Sequence, residues 1–441
     1  MNIGGLGGKI IEKYTKKGSI MYTSIVGSFL SSIQALRVYV ESVENKNNDM
    51  IITDGASFTA ALMYLTKMLK AKNMNFDDID FPDEFSEDIV SNIKKCMESL
   101  EQILDIGEDG KGGRYRNVPK IVKESYRNID AMRRQNEILY SGTLMLLVTY
   151  FENTISKIFR ADFQRHPQRM ALDKKMVSYK ILEMSDSIED VKNHLIDDEV
   201  MSMMYKSVGE WIEYLKKNLN LKLEYVISVL PQLTEIVARR NLIVHNEGAV
   251  NTIYLNLVGE KYASGLNVGD TLGVDRKYIS DAIDLVENIG MAIIIEMWIN
   301  ECAKDPSEVD KIVAIIYDEY LIFEKWETAK ILYEICLNCK KLQTSSELLC
   351  KINRWQCYKW QGEIEKVKSE VESLDISACR PMYKLGVLAL LDKYEEFFRF
   401  FKSQDDIGEE ELGEWPLFRE IRETEFYIEM DKNKYEQKED H

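Results

Sequence analysis

The sequence predicts an all-α protein, and three observations predict it. Apolar residues recur at helical spacing through long stretches of the chain. Helix breakers are sparse, with 7 prolines and 23 glycines among 441 residues. Towards the C-terminus, lysine and aromatic positions recur every 34 residues, a length that suits one helix pair. Hydrophobic residues make up 45% of the chain and charged residues 30%, which excludes a disordered polypeptide. A chain of this length is expected to form two or three compact units.

Charge and cysteine usage narrow the function classes. Lys and Arg number 57 against 74 Asp and Glu, a net charge of −17, so long-range repulsion excludes a protein that coats DNA or RNA nonspecifically. The chain does not open on a basic-then-apolar leader, and an uninterrupted apolar run of about 18 residues is missing. The nearest approach, residues 20–40, is broken by Ser24, Ser28, Ser31, Ser32, Gln34 and Arg37. No membrane association is expected, and the 7 scattered cysteines suit a reducing cytoplasm. Cys336 and Cys339 form a CxxC without the second pair that a four-ligand zinc site needs, so they are expected to be structural thiols. Neither a metal nor a cofactor is expected.

Three regions follow from punctuation and charge: an N-terminal helical region (1–117), a central helical bundle (118–301) and a C-terminal region of helix pairs with an acidic tail (302–441). In the first, helices are expected over 19–43, 57–72 and 85–104, joined by the polar connector 44–49 and an acidic connector containing Pro82. Asp54 and Ser57 are candidate N-caps for the second, because a side-chain oxygen there can accept an unpaired amide proton. The glycine-rich segment 107–119 reads as an exposed connector. It lacks the Gly-Lys-Ser/Thr ending of a phosphate-binding loop, as do residues 4–9.

In the central region helical patterns cover 139–159, 200–219, 223–244 and 279–300, with a polar insertion at 161–180. A small β-hairpin is expected near 254–274, where glycines interrupt short apolar runs. The Met-rich stretch Met201–Tyr205 is expected to fill a core.

In the C-terminal region, Lys325, Lys359 and Lys393 are 34 residues apart, as are Trp326, Trp360 and Tyr394. Apolar positions recur as Leu321, Trp355 and Ala389, and as Tyr333, Val367 and Phe401. The period resembles the tetratricopeptide pattern of stacked helix pairs over about 308–403, although its small-residue and proline positions are poorly kept. Residues 417–430 are expected to form a terminal helix. From 403 onwards the chain carries 14 acidic and 5 basic residues, either a solvated end or a mimic that keeps RNA from a basic cleft.

Chemistry concentrates in the central region. Only four histidines exist, and one, His245, follows Arg239, Arg240 and Asn241 at the end of a long amphipathic pattern. Cleavage of RNA by its own 2′-hydroxyl needs a proton acceptor, a cation for the pentavalent phosphate and an acid for the leaving oxygen. Histidine changes charge near neutral pH and suits the first and last roles. Arg240 stays charged and can offer paired donors to phosphate. Five helical positions amount to about 7.5 Å of rise and about 140° of rotation, so Arg240 and His245 share a face only if the helix ends between them. Asn246 and Gly248 are terminating residues that predict such an end. The alternative reading is an Arg and a His that pair with carboxylates at a bundle end. Arg160 and His166 have comparable spacing but lack the polar residue after the arginine and run into Pro167.

The Arg240–Asn241–His245 motif, with residues 172–200 upstream, resembles the HEPN superfamily (higher eukaryotes and prokaryotes nucleotide-binding) over about 136–300, in particular a bacterial branch of toxin and phage-defence proteins. The resemblance implies a metal-independent endoribonuclease with Arg240, Asn241 and His245 as catalytic residues, RNA as substrate and a homodimer through the bundle. It also implies a 2′,3′-cyclic phosphate on the upstream fragment. Arg239 is a candidate for a neighbouring phosphate. Residues 111–135 hold eight basic and two acidic residues, so Lys111, Arg114, Arg116, Arg133 and Arg134 are candidate RNA contacts. Residues 157–175 form a second basic stretch. The rival expectation is a non-catalytic interaction protein that binds a protein partner, such as an antitoxin or a phage product, at its repeat and uses the bundle for dimerisation.

Overall fold

The computed structural model describes residues 17–69, 118–170, 175–302, 305–339, 342–377, 379–404, 409–425 and 427–428. Of the described residues 79% are helical, the all-α class that the sequence predicts, and no strand forms among them. No helix among them is long and apolar enough to cross a membrane. The chain divides into two compact units, one of Met1–Leu30, Phe151–Thr234 and Asp284–His441, the other of Ser31–Tyr150 and Glu235–Ile283.

Helix α1 (Lys17–Leu69) runs unbroken for 53 residues, straight through the expected connector at 44–49 and past Asp54 and Ser57. The connector stays helical because its polar side chains find partners and it contains neither Gly nor Pro. Tyr140 donates to Glu44 at 2.6 Å, Arg276 pairs with the same carboxylate at 2.5 Å, and the buried Asn47 donates to Asn136 at 2.7 Å. All of these residues belong to the second unit. The helix expected at 85–104 lies outside the described residues.

Helix α2 (Val118–Arg165) contains the expected 139–159 segment, and a 3-10 turn (Pro167–Met170) follows it. Short α3 (Tyr179–Met184) precedes α4 (Ile188–Met204), and the expected 200–219 helix is cut at Ser207, where α5 (Val208–Asn218) begins. The cut is a capping box: Ser207 accepts from the Glu210 amide while Glu210 accepts from the Ser207 amide. Only Met203 of the Met-rich stretch is fully buried. Met201 and Tyr205 face solvent, so that stretch is not the core filler it resembles. The 223–244 pattern likewise divides into α6 (Glu224–Ser228) and α7 (Leu230–Asn246). Beyond α8 (Thr252–Val258) and α9 (Glu260–Ala263), α10 (Arg276–Cys302) is apolar on every side over Met291–Ile295, as a helix enclosed by others must be.

In the first unit Tyr22 stacks on Trp298 with centroids 5.6 Å apart, and a Cβ on Gly290 would overlap the Phe29 ring. Three helix pairs follow. Helix α11 (Pro306–Ile316) continues through a π-helical turn to Leu321 and turns into α12 (Trp326–Leu337). Helix α13 (Thr344–Trp360) turns into a 3-10 segment and α14 (Lys368–Glu372), and α15 (Pro381–Leu390) turns into α16 (Tyr394–Phe401).

Each turn places one residue in the left-handed region: Glu324 (φ 58°), Gly362 (φ 73°) and Asp392 (φ 55°). Each is closed by an amide reaching back five residues, Lys325 to Tyr320, Glu363 to Tyr358 and Lys393 to Leu388. The outer turns therefore keep the 34-residue register, whereas the middle turn sits later than the Lys359–Trp360 alignment places it. Lys359 and Trp360 end a helix rather than begin one. The apolar repeat positions are all buried. Cys336 is fully buried and its thiol meets Cys350 rather than Cys339, which raises its pKa well above the ordinary thiol value. The expected terminal helix at 417–430 begins instead as a 3-10 turn (Pro416–Phe418) and a single helical turn, α18 (Arg419–Arg422), preceded by α17 (Glu409–Glu414).

Candidate functional site

Helix α7 carries the whole Arg239–His245 motif within one unbroken element. It does not end between Arg240 and His245, so the two remain about 140° apart around the axis. Asn241, one turn before His245, is the motif residue on the histidine's face, and Asn241, Val244 and His245 are all exposed there. Arg240 is half-buried on the far side of that face, while Ala238 and Leu242, within about 60° of His245 around the axis, are buried along its inner edge.

The end of α7 is fixed by local chemistry. After Asn246, Glu247 and Gly248 both adopt left-handed angles (φ 51° and 78°), and the Gly248 amide donates to the Leu242 carbonyl at 3.0 Å. Asn246 donates from its side chain to the Ala249 carbonyl at 2.6 Å. Any Cβ at Gly248 would stand 2.9 Å from the Leu272 carbonyl oxygen, so both the angle and the space require glycine. The chain then pairs residues 248–250 with 269–272 through Val250 to Asp270, Gly269 to Val250 and Leu272 to Gly248, all between 2.8 and 2.9 Å. The hairpin expected near 254–274 is absent. Asn251 caps α8 by accepting from the Tyr254 amide, which makes that segment helical, and the extended pairing shrinks to the single bridge Ala249–Thr271.

Beneath the motif lies a buried carboxylate. Glu235, only 3% exposed, accepts from the Tyr254 hydroxyl at 2.8 Å, the Tyr278 hydroxyl at 2.7 Å and Arg239 Nε at 2.7 Å. Arg239 also donates to the Gly273 carbonyl at 3.0 Å and lies 4.1 Å from the centre of the Tyr278 ring. Burial, reinforced by Glu235, pushes the Tyr254 phenol up to about 12 and the Tyr278 phenol higher still, so both stay protonated donors. Ala238, Leu242, Val250, Tyr254 and Val258 form the apolar cluster beside these groups. Sequence reasoning missed this assembly. Its one local signal is Glu235 four residues before Arg239, the spacing of a helical ion pair.

No known family model, curated protein or solved structure matches this chain.

The other candidate residues are placed unevenly. Lys111, Arg114 and Arg116 lie outside the described residues, as does the side chain of Arg133, while Arg134 is exposed on α2. The second basic stretch is largely matched by carboxylates: Arg160 pairs with Asp197, Arg165 with Glu301, Arg169 with the buried Asp162, and Lys175 with Glu199. Lys157 donates to Ser28 at 2.7 Å. Such partners leave little of that stretch to attract a polyanion. Among the described residues no group of three or more His, Cys, Asp and Glu side chains is placed to hold a metal ion.

Proposed function

We propose that this chain acts in the cytoplasm as a metal-independent endoribonuclease of the HEPN type, serving phage defence or a toxin–antitoxin system. One observation carries the reading: Asn241 and His245 project together into solvent from the last turns of a helix whose end and underside are held by fixed contacts. Exposure admits a strand of RNA, and a held helix end gives the imidazole a defined position, which proton transfer needs. His245 takes the 2′-hydroxyl proton and Asn241 orients the phosphate. Because Arg240 stands about 140° away on a continuous helix, a guanidinium and an imidazole meet on one phosphate most readily across a homodimer, where the second His245 serves as the acid.

The test is RNA-end mapping with purified full-length protein in EDTA. Wild type yields 2′,3′-cyclic phosphate ends, and His245→Ala and Arg240→Ala yield none. Intact RNA with wild type, or cutting that persists in His245→Ala, rejects the reading. A second reading, an interaction protein built on the helix pairs, is favoured by the exposed apolar residues Ile322 and Phe323 at the first pair's turn. Toxicity that survives His245→Ala but is lost on Phe323→Ser supports it.

A further inference from the structure

Arg239 stands beside the motif as the candidate for a neighbouring phosphate, yet its side chain is only 17% exposed and its donors are engaged. Nε donates to the buried Glu235 at 2.7 Å and Nη1 to the Gly273 carbonyl at 3.0 Å, while the guanidinium lies over the Tyr278 ring. Arg239 precedes His245 by six positions on one continuous helix, which is about 9 Å of rise and about 120° of rotation. The two side chains therefore leave α7 in different directions. Arg239 meets a buried carboxylate, not the exposed face of Asn241 and His245.

The Gly273 contact extends this arrangement beyond α7. Residues 264–275 form no helix, so contacts from outside the segment decide where 272–273 lie. The Leu272 amide donates to the Gly248 carbonyl at 2.9 Å, and the Leu272 carbonyl leaves no room for a Cβ on Gly248. Gly248 in turn donates to the Leu242 carbonyl at 3.0 Å and so closes the helical turn that carries His245. Contacts thus run from Glu235 through Arg239 and residues 272–273 to Gly248, three positions after the imidazole.

We infer that Arg239 is a positioning residue and not an RNA ligand: its guanidinium clamps residues 272–273 to α7 and thereby fixes the helix end that presents His245. A planar cation suits this task, since its face covers the Tyr278 ring while its edge donates both to a carboxylate and to a carbonyl. Lysine has no such plane. The role in catalysis rests on the ribonuclease reading, whereas the clamp itself does not.

The test compares full-length wild type with Arg239→Lys, Tyr278→Leu and the conservative Tyr278→Phe, each at a temperature where its circular dichroism matches wild type. His245 is one of four histidines, so its imidazole can be followed by proton–nitrogen NMR and assigned through His245→Asn. Arg239→Lys and Tyr278→Leu are expected to shift or broaden the His245 signal, to leave His166 and His194 unchanged, and to speed amide exchange at Gly248 and Leu272. Tyr278→Phe, which keeps the ring, is expected to resemble wild type.

Cleavage of a 5′-labelled mixed-sequence oligoribonucleotide in EDTA is the second measurement. Arg239→Lys and Tyr278→Leu are expected to lower kcat about tenfold at unchanged KM, because a misplaced imidazole costs rate and not RNA contact. A phosphate ligand would instead raise KM at unchanged kcat, with a shallower salt dependence. Unchanged kcat in Arg239→Lys overturns the inference, as does an unaltered His245 signal with unaltered exchange at Gly248. RNA left intact by wild type rejects the ribonuclease reading, and the NMR and exchange results then decide the clamp alone.

Discussion

The Arg239 guanidinium lies 4.1 Å from the centre of the Tyr278 ring, whose hydroxyl donates to the carboxylate that Arg239 itself binds. Cation, ring and anion thus close on one another, and the charge of a nearly buried Glu235 is matched on three sides. Removing one member leaves the others without a solvent to turn to. Glu235→Ala is expected to lower unfolding free energy by about 3 kcal/mol, because it strands a desolvated guanidinium. Tyr278→Phe, which removes a single donor, should cost about 1 kcal/mol. Chemical denaturation followed by circular dichroism measures both, and equal costs would contradict the arrangement.

Gly248 is needed twice, for its left-handed angle and for its approach to Leu272. Gly248→Ala should therefore cost about 2 kcal/mol, more than the strain of the angle alone. The loss should be local. Hydrogen exchange is expected to accelerate at Gly248, Val250 and Leu272, whose amides close the end of α7. If the exposed His245 is catalytic, the same substitution slows RNA cleavage while leaving RNA binding nearly intact.

Gly290 faces the Phe29 ring so closely that no side chain fits between them. Gly290→Ala is expected to destabilise the protein by about 2 kcal/mol through overpacking. The double variant Gly290→Ala/Phe29→Leu should be less unstable than the sum of its single changes, since the smaller side chain yields the space. Strict additivity would show that the two do not compete for one volume.

Glu296 has a carboxyl pKa above its ordinary value of 4.5, because burial outweighs the two backbone amides that donate to it. A folded pKa above the unfolded one means that the native state holds its proton longer. Stability from this group is complete below pH 4.5 and declines as pH rises through the folded value. Glu296→Gln keeps a carbonyl acceptor for the amides and removes the ionisation. Its denaturation midpoint is expected to fall less than that of wild type between pH 4.5 and neutrality.

Much of the fold is legible in the sequence because it depends on local periodicity. The all-α class, the core of α2 and the existence of paired helices all rest on apolar spacing. What is missed rests on contacts between distant residues. The connector at 44–49 reads as a loop by composition, yet Asn47 and Glu44 are satisfied by Asn136 and by Tyr140, and no local rule pairs residues so far apart. Glu235 depends on Tyr254 and Tyr278 in the same way. The division between α4 and α5 is different, since the Ser207–Glu210 capping box is written in the sequence but is masked by the apolar residues on either side. At the candidate site the motif is legible and its facing is not, because the helix end depends on where Gly248 meets Leu272.

The register of the helix pairs supplies the last test. Simple alignment equates Lys325, Lys359 and Lys393, but the three turns equate Glu324, Gly362 and Asp392, each with a positive φ. The two assignments predict opposite signs for exchange with glycine. If the turns are equivalent, Glu324→Gly and Asp392→Gly relieve left-handed strain and raise stability by up to about 1 kcal/mol. Gly362→Ala, with open space around its missing Cβ, introduces that strain alone and lowers stability by about 1 kcal/mol. Under the simple alignment, Tyr358 would be the middle counterpart of Glu324, and Tyr358→Gly would act as the outer glycines do. Tyr358 instead lies within α13, where glycine costs helix propensity and buried ring area. Thermal midpoints of these four variants decide between the two registers, and a stabilising Tyr358→Gly would restore the simple one.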